Sequence, residues 1–148
     1  MATAAMHGLK KVTLELGGND AAVVLPDVNP KETAPQIFQG AMFNTGQVCC
    51  AIKRVFVHES QYDEMVDALA EEAVKAKAVM GDGMDASNMF GPINNKMQFE
   101  RVSGLVDDAR KEGGRIVTGG NQFGDPNGYF VSHPRPTTTT TCFSRNDV

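Results

Sequence analysis

Nine residues, Phe43-Asn44-Thr45-Gly46-Gln47-Val48-Cys49-Cys50-Ala51, constrain this chain more than any others, because they join two segments of different kind. Before them, residues 31–42 read as a helix; after them, residues 52–58 read as a strand. Gly46 ends the helix, since glycine takes the left-handed cap conformation without a Cβ penalty. Cys49 therefore falls on a connection between two rigid elements, where reactive groups are often presented. From these nine residues alone it has two readings: a nucleophile, or a small hydrophobe buried in the core. Cys50 reads as packing.

A second stretch, Val12-Thr13-Leu14-Glu15-Leu16-Gly17-Gly18-Asn19-Asp20, carries a carboxylate inside an apolar run that two glycines break. Residues 11–16 alternate as a strand does, with Val12, Leu14 and Leu16 on one face and Thr13 and Glu15 on the other. That second face is either solvated or a place for a base. Paired with Cys49, Glu15 makes a nucleophile-and-base combination whose carboxylate Leu14 and Leu16 would help to desolvate.

These two stretches resemble the signatures of the aldehyde dehydrogenase superfamily. The family's glutamate signature, Leu-Glu-Leu-Gly-Gly, is matched by residues 14–18. Its cysteine signature, Phe-x-Asn-x-Gly-Gln-x-Cys, is matched at Asn44, Gly46, Gln47 and Cys49, although Phe43 directly precedes Asn44. Glu15 and Cys49 stand 34 residues apart, as the family pattern requires. The likeness runs from about Leu9 to Val131, including Gly91-Pro92-Ile93 and Arg115 to Gly120.

The resemblance implies an α/β fold, an open sheet with flanking helices that forms part of the family's catalytic domain and lacks its N-terminal dinucleotide-binding domain. Residues 1–131 would be that partial domain, and 132–148 an irregular Pro/Thr-rich tail. A frameshift, a retained intron or an early stop would each produce such a truncated member. In the family a thiolate, here Cys49, attacks the aldehyde carbonyl, and the oxyanion is held by the cysteine's own N–H and an upstream Asn. Hydride then passes to NAD or NADP, leaving a thioester that water hydrolyses to the acid. Glu15 would activate that water, and Gly17 would lie close to the nicotinamide. Most of the cofactor site and the upstream Asn have no counterpart here, so the isolated chain is expected to be inactive toward aldehydes. Two alternatives remain: a non-catalytic partner pairing with a full-length relative, or a residual cofactor-independent esterase.

Composition narrows the classes further. With 148 residues, 41% hydrophobic and 22% charged, the chain is one domain's worth of ordinary globular sequence. A formal charge of -4 argues against a nucleic-acid footprint. The longest uninterrupted apolar run, residues 21–25, is far too short to span a bilayer, and residues 1–8 lack signal-peptide character. A cytoplasmic location follows by default. Three cysteines, two of them adjacent, give neither a disulfide framework nor zinc-ligand spacing, so no metal is expected.

The remaining chain reads as alternating elements. Residues 21–25 form a short buried strand, and 61–80 a helix with Met65, Val66, Leu69, Ala73, Ala76 and Val79 or Met80 as its stripe. Gly81 to Ala86 matches a loose dinucleotide fingerprint, but it follows a helix instead of opening one, and is rejected. Residues 94–112 form a second long helix with Met97, Val102, Leu105, Val106 and Ala109 inward, capped by Gly113-Gly114. Residues 115–118 and 129–131 are short strands around a turn-rich loop. None of the three histidines is assigned a role.

Overall fold

A computed structural model describes residues 3, 6–8 and 10–132, with the backbone of 135–137 and 142–143. Strand β1 (Asp20–Val24) leads through helix α1 (Pro30–Met42) to β2 (Ile52–His58), which pairs with β1 in parallel. A helix between parallel neighbours is the usual crossover, since parallel strands cannot be joined by a hairpin. Helix α1 starts where local chemistry says it should. Asn29 Oδ1 accepts a 3.0 Å hydrogen bond from the Lys31 N–H, and Pro30 occupies the first turn, where its missing N–H costs nothing.

After β2 comes helix α2 (Tyr62–Ala78), then helix α3 (Lys96–Lys111), strand β3 (Arg115–Thr118), and two short strands, β4 (Arg135–Thr137) and β5 (Cys142–Phe143). The first sheet runs β1-β2-β5, all parallel; β3 and β4 form an antiparallel pair. The core lies between this sheet and the two helices α1 and α2. Val24 and Val57 meet Ala34, Ile37 and Phe38 of α1 and Met65, Leu69, Ala73 and Ala76 of α2. Phe38 meets Phe90 edge-on, with ring centroids 6.2 Å apart. The α2 stripe read from the sequence is the buried face, and Met65 and Leu69 are enclosed completely.

Five expectations change. Residues 11–16 are not a strand: no residue from 11 to 19 joins a ladder. Alternation only proposes a pairing, and a strand exists when another segment supplies the partner groups. In β1, Val24 is buried but Val23 is exposed, as is Leu25 just after it, so that strand is not covered on both faces. On α3 Val106 is buried and Val102 and Ala109 are half-buried, but Met97 and Leu105 are 66% and 61% exposed, so the described residues cover only part of that stripe. Lastly, the segment from 132 onward is not wholly irregular. Ser132 is buried and its hydroxyl donates to the Asn121 carbonyl at 2.9 Å, while 135–137 and 142–143 are strands. Of the expected strand 129–131, Val131 alone forms a bridge, with Gln122.

Candidate active site

The chain leaves α1 through a single 3₁₀ turn, Phe43–Gly46, in which three successive residues are left-handed. Gly46 (φ 75°) takes this without penalty, and Asn44 (φ 51°) tolerates it. Thr45 (φ 58°) is different, because a β-branched side chain is strained there. Such strain persists only where surrounding contacts over-determine it. Those contacts are present. The Thr45 hydroxyl donates a 3.1 Å hydrogen bond to the Gly91 carbonyl. Gln47 Oε1 accepts from the Asn94 N–H at 2.8 Å, and its Nε2 donates back to the Asn44 carbonyl at 3.2 Å. The helix therefore stops at Met42, four residues before Gly46, and the turn is tied to the 91–94 segment. A cleft of about 500 Å³ lies there, lined by Thr45, Gly46 and Gln47 on one side and Ile93, Asn94 and Asn95 on another. Cys49 is not part of its lining.

The next turn presents the cysteines. The Ala51 N–H donates to the Val48 carbonyl at 3.2 Å, which puts Cys49 and Cys50 at the two central positions of a β-turn. Both thiols are free and exposed, while Ala51 is buried beneath them. Neither cysteine is a core hydrophobe, so the packing reading given to Cys50 does not hold. Lys53, just inside β2, reaches back under the turn. Its Nζ donates to the carbonyls of Val48, Cys49 and Ala51 at 2.8, 2.9 and 3.0 Å.

Strand β2 also holds the other signature. Arg54 Nε and Nη2 donate to the Asn19 carbonyl at 3.1 and 2.8 Å. Gly18 then packs so tightly that a Cβ on it would collide with the Cys49 carbonyl oxygen. The two stretches therefore meet at Gly18 and Cys49. Glu15 lies three residues upstream, so its Cα is within about 10 Å of that of Gly18. Its expected desolvation is absent. Glu15 is exposed, and Leu14 and Leu16 are 47% and 85% exposed, because a segment outside any ladder has no layer over its apolar face. Gly17 has φ 94° with open space where a Cβ would stand, so a flat group could approach its backbone.

A sequence profile described as the aldehyde dehydrogenase family matches residues 1–145. The chain belongs to the aldehyde dehydrogenase family. The match continues past Ser132, where the motif-based likeness ended. A mitochondrial aldehyde dehydrogenase of Leishmania tarentolae is 47% identical over 131 residues, which are 88% of this chain and 26% of that protein. Among solved structures, an NAD+ complex of aldehyde dehydrogenase from Bacillus cereus is 38% identical, with a TM-score of 0.79, over 90% of this chain and 26% of that one. A mutant aldehyde dehydrogenase C from Pseudomonas syringae, solved with NAD+ and octanal, is 28% identical with a TM-score of 0.82, over 95% of this chain and 29% of that one. The open sheet with its helices is thus part of the aldehyde dehydrogenase fold, and the chain spans about a quarter of these relatives' length.

Lys53, which holds the turn, and Arg54, which holds Asn19 beside it, escaped motif reading. The available signal was a basic pair shortly after the cysteines, inside a strand that is otherwise largely apolar. In that setting each long side chain needs a polar partner for its head while its stem lies along the sheet.

Proposed function

We propose that Cys49 is the nucleophile of an aldehyde-oxidising site and that Glu15 is the base that activates water against the resulting thioester. The observation that carries this reading is the meeting of Gly18 with the Cys49 peptide, beneath an exposed thiol at a turn tip. The sulfur adds to the carbonyl carbon, and the oxyanion forms beside the Cys49 N–H, the nearest backbone donor. Glu15, on the adjoining segment, takes a proton from water in the hydrolytic half of the reaction. NAD or NADP, when bound, supplies the hydride acceptor, and the open backbone at Gly17 is the part of this chain that would lie against it. The 148 residues alone are expected to be too little of the site for hydride transfer, since the chain spans only about a quarter of these relatives' length. The test is a steady-state assay with a panel of aldehydes and both nucleotides. No NAD(P)H should form with the isolated chain, whereas iodoacetamide at one equivalent should label Cys49 ahead of Cys50. Preferential labelling of Cys50 or Cys142 contradicts the nucleophile assignment.

A second reading rests on residues 11–16, whose strand-like alternation meets no ladder and leaves Leu16 almost fully exposed. Such a segment could add to a sheet edge of a full-length relative. Co-expression followed by size exclusion decides: separate elution at micromolar concentration ends the idea.

A further inference from the structure

We infer that Lys53 is a positioning residue for Cys49: by holding the peptide groups on both sides of it, Lys53 fixes where the Cys49 N–H points. The inference rests on the reading of Cys49 as nucleophile and adds a residue to that site.

An ammonium has three N–H donors. Lys53 uses all three on the Val48, Cys49 and Ala51 carbonyls, within 2.8–3.0 Å. Among the described residues no carboxylate pairs with it, so its hydrogen-bonding capacity goes to the turn. The Val48 carbonyl and the Cys49 N–H belong to one peptide unit, and in a planar trans peptide the two point in opposite directions. Drawing that carbonyl toward Nζ therefore aims the Cys49 N–H away from Lys53. The Cys49 carbonyl is held the same way, which sets the Cys50 N–H, and Gly18 closes its other side. Both peptides that flank the thiol are thus fixed by one side chain. An oxyanion donor is effective when it is aimed before charge develops, because no reorganisation is then needed during the reaction.

Two thiol reagents separate this role from mere support of the loop. With para-nitrophenyl acetate, the Cys49 sulfur bonds to the acetyl carbon and the carbonyl electron pair moves onto oxygen. The oxyanion then collapses, nitrophenolate leaves, and the thiol proton goes to solvent. With iodoacetamide, sulfur displaces iodide at a saturated carbon and no oxyanion forms. Peptide mapping by mass spectrometry gives the rate at each cysteine of the 148-residue chain. Lys53→Met should slow acetylation of Cys49 about tenfold, short of the ~10²–10³ for deleting a donor outright. Alkylation of Cys49 by iodoacetamide should change less than about twofold, since that reaction needs no oxyanion donor. Lys53→Arg, which keeps the charge and several donors, should restore most of the acetylation rate. An equal fall with both reagents, or no fall in acetylation, overturns the positioning role. A native chain in which Cys50 or Cys142 reacts as fast as Cys49 with both reagents overturns the nucleophile reading itself, and the role of Lys53 falls with it. The first failure is seen only in the variants and the second already in the native chain.

Discussion

Gly18 and Cys49, 31 positions apart, touch so closely that residue 18 has no room for a side chain: a Cβ there would run into the Cys49 carbonyl oxygen. The obstacle is backbone, not the end of a flexible side chain, so the turn itself must move. Gly18→Ala is expected to lower acetylation of Cys49 by at least about tenfold, as a displaced oxyanion donor would. Gly83→Ala, where a Cβ meets open space, serves as the control and should match the native chain. Indistinguishable rates for the two variants would remove Gly18 from the site.

The pairing of Cys49 with Glu15 predicts a split between acylation and turnover. Ester hydrolysis needs a nucleophile, a donor and a base, but no hydride acceptor. Any feeble esterase activity of the chain should vanish in Cys49→Ala and survive in Cys50→Ala. Glu15→Gln should still release one equivalent of nitrophenolate and then stall, giving a burst without a steady phase. Equal residual rates in Cys49→Ala and Cys50→Ala would leave the assignment without support.

Gln47 joins the strained turn to the segment at Asn94, through both ends of its amide. Gln47→Ala should cost about 1–2 kcal/mol, the range of one or two modest hydrogen bonds. Gln47→Glu keeps the acceptor for the Asn94 N–H and should lose less. The measurement is the urea midpoint of each variant at constant m-value; a larger loss in Gln47→Glu would contradict the bonding described.

The two long helices should respond differently to truncation. Leu69 of α2 is enclosed by the core, and Leu69→Ala is expected to cost about 2–5 kcal/mol in lost burial and cavity formation. Leu105 of α3 is mostly exposed, and Leu105→Ala should stay within about 0.5 kcal/mol of the native chain. Comparable losses in urea unfolding would mean that the α3 stripe is covered in solution.

Asp85 folds the loop after α2. The Ser87 backbone N–H, followed by the Ser87 hydroxyl, holds its carboxyl below the usual carboxylate range. A depressed folded-state value stabilises the loop above the unfolded-state value, and this contribution is lost as pH falls through the folded one. A carboxyl-carbon NMR titration should therefore give a low midpoint for Asp85. Ser87→Ala should raise it only part of the way, because the N–H remains. A native midpoint at or above the ordinary range would end this account.

Several elements were legible from the residues alone because their signals are local. The bounds of α1, β2 and β3 follow from a cap, a proline and short apolar runs, and the stripe of α2 from spacing within one helix. The cysteine turn sits where Gly46 and the flanking elements put it. What the tertiary structure decided were relations between distant segments. Residues 11–16 have the alternation of a strand but no ladder partner among the described residues, and the α3 stripe is covered at Val106 but not at Met97 or Leu105. The left-handed Thr45 depends on Gly91, the placing of Gly18 against Cys49 on Arg54 and Asn19, and the hold on the Cys49 peptide on Lys53. Periodicity and capping report how a segment prefers to fold. A ladder, a buried face or a close backbone approach exists only when a second segment arrives to complete it, and that partner is not written in the local pattern.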